Sequence, residues 1–217
     1  FQKKYTVYGT SRKISNSSDF SFNLMELDVT DKSSIENCIS EILKKESKID
    51  ILINNAGVGI TGPLEEIPTS EINKHIQTNV IGPILLIKEV LPSMRYSKNG
   101  VIINITSIAG QIATPFRSVY SGGKAALEII SETLAMEVRN FGIDVVSIAP
   151  GDFKTNISKR RFHSPVIDKS DYKSYAESLK KMNFGVNKGS DPEKIAKLVS
   201  SILLKKRPKI RYKVGSF

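Results

Sequence analysis

Cys38 is the chain's one cysteine, which excludes a disulfide framework within it and fits a reducing compartment such as the cytoplasm. No apolar run approaches the roughly 18 residues that a membrane-spanning helix needs, and no signal peptide is visible. Acidic residues are the scarcer sign, 22 against 32 basic ones, for a formal net charge of +10. The basic residues are mostly spread along expected helices, and their densest cluster, from Lys205 to Lys213, is short and terminal. A nucleic-acid partner is therefore not expected. Also missing is a strand, glycine-rich turn and helix ahead of Tyr5. The first residues, 1–4, read as the last turn of a helix.

What is present fits one α/β domain of 217 residues, 40% apolar and 25% charged. β-type runs fall at 5–9, 22–27, 49–53, 101–106, 143–149 and 208–214. Helical periodicity covers about 31–48, 69–94 and 117–141, and Asp191-Pro192-Glu193 opens a last helix to about residue 205. Gly82-Pro83 is expected to break or bend the second of these. Residues 152–190 show no sustained period. Strands alternating with helices of this length imply βαβ units, hence a doubly wound parallel sheet with helices on both faces. Such a sheet binds ligands beyond the carboxyl ends of its strands. The polar and glycine-bearing clusters all fall at that edge. A buried parallel sheet without its central strand would leave unpaired ladders. The expectation is a longer native chain whose upstream segment supplies that strand and a phosphate-binding loop.

Tyr120 and Lys124 lie one turn apart on one helix face, and Ser107 precedes Tyr120 at the end of a buried strand. With seven tyrosines in a lysine-rich chain, the spacing alone equally fits an ordinary amphipathic helix. The chemistry argues for more. A free phenol titrates near 10 and shuttles protons poorly at neutral pH, whereas a nearby cation favours the phenolate. Tyr120 could then act as general acid or base while the Ser107 hydroxyl holds the same substrate oxygen. Gly122 and Gly123 each cost a helix interior about 1 kcal/mol, which suggests that something approaches the backbone closely there.

Taken in order, Thr10-Ser11-Arg12, Leu27-Asp28-Val29, Asn54-Asn55-Ala56-Gly57, Asn79 in Thr-Asn-Val-Ile-Gly, Ser107, Tyr120, Lys124 and Pro150-Gly151-x-x-x-Thr155 resemble the short-chain dehydrogenase/reductase family of the Tyr-x-x-x-Lys type. The resemblance runs from about Thr6 to Thr155. It implies that Tyr120 moves the proton, Lys124 holds the nicotinamide ribose, Ser107 orients the substrate oxygen, and Asn79, through a backbone kink, anchors a water linking Lys124 to solvent. It further implies that Asp28 and Val29 meet the adenine, that Asn54, Ala56 and Gly57 meet the adenosine side, and that Pro150, Gly151, Phe153 and Thr155 meet the nicotinamide end. Plainer roles stand beside these: a strand-tying turn for Asn54 and Asn55, a cap for Thr155, relief of a bend for Asn79.

Ser11 and Arg12 decide the cofactor expectation. A carboxylate at that strand end would take the ribose hydroxyls of NAD, whereas a hydroxyl and a guanidinium suit the extra phosphate of NADP(H). The chain departs from the family in lacking the glycine-rich turn and in carrying Gly123 before Lys124. Residues 152–190 are expected to cover the substrate pocket. Their aromatic members would line a slot or form the buried face of a lid helix, and Arg160-Arg161 and His163 would read an acid or sit on a solvated turn. The carboxyl end resembles members related to 17β-hydroxysteroid and retinol dehydrogenases, pointing to a bulky apolar alcohol or ketone. The reading is an NADP(H)-dependent oxidoreductase, a homodimer or homotetramer without metal, nucleic acid or membrane. A non-catalytic NAD(P)-sensing protein on the same fold is the alternative.

Overall fold

The computed structural model describes residues 5–14, 21–166 and 170–215. The helical turn expected at residues 1–4 lies outside them. The chain runs β1 (Tyr8–Ser11), β2 (Asn23–Glu26), α1 (Lys32–Glu46), β3 (Ile51–Asn54), β4 (Ile60–Thr61), α2 (Thr69–Ile76), α3 (Gly82–Ser97), β5 (Gly100–Ile105) and α4 (Ser118–Val138). It continues as β6 (Ile143–Pro150), α5 (Ile157–Arg160), β7 (Phe162–His163), α6 (Tyr175–Lys188), α7 (Glu193–Leu203) and β8 (Arg211–Val214).

The central sheet is β3-β5-β6-β8 with every pairing parallel, and β1 pairs parallel with β2 as a second ladder. Among the described residues no strand joins the two ladders. Successive residues of a strand face opposite ways, and the core follows that alternation. Ile102 and Val145 pack with α1, α3 and the end of α4, while their neighbours Ile103 and Val146 pack with Val199 and Ile202 of α7. Helices thus cover both faces of a parallel sheet, and the strand ends converge on one edge.

Four local features differ from the sequence reading. β1 begins at Tyr8, not Tyr5, because its ladder exists only where β2 supplies partners, Tyr8 opposite Asn23 through Ser11 opposite Glu26. Gly82-Pro83 neither breaks nor bends the helix but opens α3. The irregularity is a π-turn at Gln77–Ile81, one step earlier. The aperiodic stretch 152–190 contains a 14-residue helix, α6, with only Tyr175 and Val186 buried, so it has too little apolar stripe to read. Phe184, expected to line the pocket or the lid's inner face, is 58% exposed.

Candidate active site

The π-turn is what delivers Asn79. Widening the helix by a residue frees backbone groups and turns Asn79 inward, where it is 1% exposed. Its Nδ2 donates to Val58 O at 2.9 Å and to His75 O at 3.1 Å, and its Oδ1 accepts from Val58 N at 3.3 Å. Asn79 thereby clamps the loop after β3 onto the helix. Asn79 Nδ2 also lies 3.0 Å from His75 Nδ1. His75 Nε2 is buried without a partner. Burial, with the nearby Lys124 charge, holds the His75 pKa down to about 4, so the ring is neutral at physiological pH.

Helix α4 carries Tyr120, Gly123 and Lys124 into the same space. Lys124 is buried and its Nζ donates to Ile105 O at 2.8 Å, tying α4 to the end of β5. Burial lowers its pKa to about 8. An ammonium has three protons to give, and Ile105 O is the single acceptor for Lys124 among the described residues. The Tyr120 ring is buried, 5.7 Å from the His75 ring. A Cβ on Gly123 would sit 2.8 Å from His75 Nε2, so the histidine occupies a notch that only glycine leaves open. Gly122 meets nothing within 4 Å. Of the two glycines expected to mark a close approach, one does.

Gly57 adjoins both groups, since a Cβ there would lie 2.8 Å from Asn79 Oδ1 and 3.8 Å from Lys124 Nζ. Ser107 follows β5 by two residues, and its Oγ accepts from Ala109 N at 3.2 Å, capping a short turn. That turn lies directly on α4, since a Cβ at Gly110 would sit 2.8 Å from Ala125 N. Tyr120 and Ala109 of the same turn belong to one buried apolar cluster. Asn79, Lys124, Gly57, Ser107 and Tyr120 are therefore gathered at one end of the sheet.

The cofactor residues read from the sequence are spread along the strand ends. Ser11 and Arg12 are exposed at the end of β1. The Asp28 carboxylate accepts from Thr30 N and Thr30 Oγ1. Those bonds, helped by the Arg12 charge, hold it below the usual carboxylate range. Val29 is buried and its carbonyl oxygen would lie 2.6 Å from a Cβ on Gly82, so it anchors the start of α3. Asn54 Nδ2 donates to Asn104 Oδ1, Asn104 Nδ2 to Ser131 Oγ, and Ser131 Oγ to Leu127 O. This buried chain crosses β3, β5 and α4, so the strand-tying role holds for Asn54, although its Oδ1 stays buried and unpartnered. Asn55, Ala56 and Gly57 are exposed just beyond it.

At the nicotinamide end, Pro150 closes β6 and Gly151 N donates to Val214 O. Phe153 is 5% exposed, with a ring carbon 2.6 Å from where a Cβ on Gly215 would fall. Thr155 is exposed, and its Oγ1 accepts from Ile157 N at 3.4 Å, the capping role. Sequence reasoning missed His75 and Arg117. The signal for His75 was its position one turn before Asn79, and for Arg117 its position one turn before Tyr120. Among the described residues no three His, Cys, Asp or Glu side chains could hold a metal, and no helix is long and apolar enough to cross a membrane.

The sequence profile described as short chain dehydrogenase matches residues 7–165. A 3-ketodihydrosphingosine reductase of Bacteroides thetaiotaomicron is 38% identical over 216 residues, 99% of this chain and 80% of that protein. Among solved structures, a short-chain dehydrogenase from Streptomyces avermitilis superposes with a TM-score of 0.86 at 33% identity, covering 99% of this chain and 81% of the other. ElxO, solved with NADP bound, gives a TM-score of 0.74 at 27% identity over 97% of this chain and 88% of its own.

Proposed function

The chain belongs to the short-chain dehydrogenase family, and on that premise we propose that it is an NADP(H)-dependent oxidoreductase interconverting a carbonyl compound and a secondary alcohol. The observation that carries this reading is the gathering of Tyr120, Lys124 and Ser107 at one end of the sheet, with the buried Lys124 ammonium bonded to a single acceptor. When bound, the nicotinamide supplies or accepts a hydride at the substrate carbon. In reduction Tyr120 gives its phenolic proton to the carbonyl oxygen, so carbon gains the hydride and oxygen the proton. The Ser107 hydroxyl accepts from Ala109 N and keeps its own hydrogen to donate to that oxygen.

The residues present fit a dinucleotide. Lys124 has donors to spare for ribose hydroxyls, and Asn54 has an orphaned Oδ1 beneath the exposed Asn55, Ala56 and Gly57. Asp28 and Val29 border the adenine side, and Pro150, Gly151, the Phe153 backbone and Thr155 border the nicotinamide side. Asn79 holds Val58 and the helix bend in register beside Lys124, the route by which Tyr120 recovers its proton. NADP(H) over NAD(H) rests on Ser11 and Arg12, a hydroxyl and an exposed guanidinium at the end of β1. The protein acts in the cytoplasm as a homodimer or homotetramer. The exposed face of α4 supports this, with Ile129 57% and Met136 68% exposed.

Tyr120→Phe tests the reading. NADPH consumption with a panel of ketones should fall by about 10²–10⁴-fold while NADPH affinity is kept. Turnover within a few-fold of the unaltered protein would remove Tyr120 from the chemistry. Cofactor binding with no turnover of any carbonyl by the unaltered protein would favour the sensing alternative.

A further inference from the structure

Arg117 stands over Tyr120, Arg161 lies within electrostatic reach of both, and neither arginine forms an ion pair among the described residues. Arg117 lays its Cζ 4.7 Å from the centre of the Tyr120 ring. Arg161, just after α5, donates to Asn183 Oδ1 and keeps a buried Nε with no partner. Burial and the charge of Arg117 lower the pKa of Arg161, and the acidic groups that face it, Tyr175, Tyr120 and Asp152, act in the opposite direction.

Neither arginine is a loose surface side chain. Arg117 follows Phe116, which holds φ at 63°, a left-handed conformation that a bulky residue adopts only when its surroundings impose it. Here they do. Gly62 N and Thr61 Oγ1 both donate to Phe116 O, at 2.9 and 2.8 Å, and the Phe116 ring packs at a tilt with its centre 5.1 Å from that of Tyr175. Arg161 is seated as tightly, for a Cβ on Gly59 would fall 2.7 Å from Arg161 Cβ. Arg117 and Arg161 repel each other, Asp152 offsets part of that charge without an ion pair, and a carboxylate bound between the two guanidinium groups would offset the rest.

We propose that Arg117 and Arg161 clamp a carboxylate of the substrate, so that the compound reduced at Tyr120 is an oxo acid whose acid group lies a few bonds from the reacting carbonyl. Planar guanidinium forks suit a carboxylate, and the unpartnered Arg161 Nε is a donor ready for one. Phe116 and Tyr172, with ring centres 6.2 Å apart, offer an apolar wall for the rest of the molecule. An amine in this position would face two cations. The inference rests on Tyr120 being the proton donor, and it adds what that reading leaves open, the chemical class of the substrate.

The test compares 3-oxohexanoate with its methyl ester as substrates of the NADPH-loaded enzyme. The clamp predicts a kcat/KM for the acid about 10–100-fold above that for the ester, the range of one or two charge-assisted hydrogen bonds. In Arg117→Gln and in Arg161→Gln the preference should collapse toward one, mainly through a higher KM for the acid, while Arg161→Lys keeps part of it. A wild-type ratio near one, an unchanged ratio in both variants, or a loss of NADPH affinity in place of the effect on the acid would overturn the proposal. Failure to turn over either compound bears on the reaction assigned to Tyr120 and not on the clamp. Calorimetry without cofactor then judges the clamp. Binding of 3-oxohexanoate that is lost in Arg161→Gln supports it, and no binding to the unaltered protein overturns it.

Discussion

Around Tyr120 nearly every side chain is buried and held by a neighbour, whereas along the strand ends from Ser11 to Thr155 most of the expected cofactor residues are exposed. Asn79 and His75 are each 1% exposed, and Lys124 spends one donor on Ile105 O. Ser11, Arg12, Asn55, Ala56, Gly57 and Thr155 lie open. The two regions solve different problems. Proton transfer needs groups fixed in place before the substrate arrives, because misplacement costs rate directly. A dinucleotide is held by many modest contacts over a long edge, which tolerates residues that order only on binding. Change in the first region should therefore register in stability as well as activity, and change in the second in affinity alone.

The largest expected effect on stability sharpens that contrast through pH. His75 is held neutral, with a folded pKa of about 4 against an unfolded value of 6.5. As pH falls the unfolded chain takes up the proton first. The stability this histidine contributes is present above pH 6.5 and is lost between 6.5 and 4. The loss approaches about 3 kcal/mol. Denaturant melts across this window should show it, and His75→Gln should flatten that part of the curve.

A pair of adjacent glycines gives the next largest effect, with opposite signs. Gly123→Ala drives a methyl to 2.8 Å from His75 Nε2 and should cost about 1–3 kcal/mol. Gly122→Ala meets nothing within 4 Å and should stabilise α4 by roughly 0.5–1 kcal/mol. Equal melting temperatures for the two variants would erase the notch. The smallest effect on stability belongs to the exposed edge. Arg12→Asp should leave the unfolding free energy within about 0.5 kcal/mol of wild type. It should nonetheless shift the NADP-over-NAD preference by roughly tenfold or more toward NAD. A large loss of stability, or an unmoved preference, would break the comparison from the other side.

The sequence carried the parallel α/β layout, because alternating strands and amphipathic helices leave few other packings. Tyr120, Lys124 and Ser107 were legible because a linear spacing on a helix and a strand end translates directly into position. Asn79 was legible only through its neighbours in the motif, and the bend associated with it was credited to Gly82-Pro83 when the π-turn at Gln77–Ile81 makes it. No pattern of periods shows a single-residue surplus. Helix α6 was hidden because only its Tyr175 and Val186 are buried, too small an apolar face to show a period. His75 and Arg117 were hidden for a different reason: each acquires its meaning from a residue on another turn or another helix. Phe153 was legible as a position, while the place of its ring beside Gly215 has no linear signal.

The imidazole of His75 and the bare backbone of Gly123 interlock as peg and socket. Two sites far apart along the chain are thereby bound to a shared fate. A larger residue can enter α4 at that point only after the peg has shortened, and a lineage that took the steps in the reverse order would pass through a damaged intermediate. The history of this pocket is constrained as much by the order of its changes as by the changes themselves.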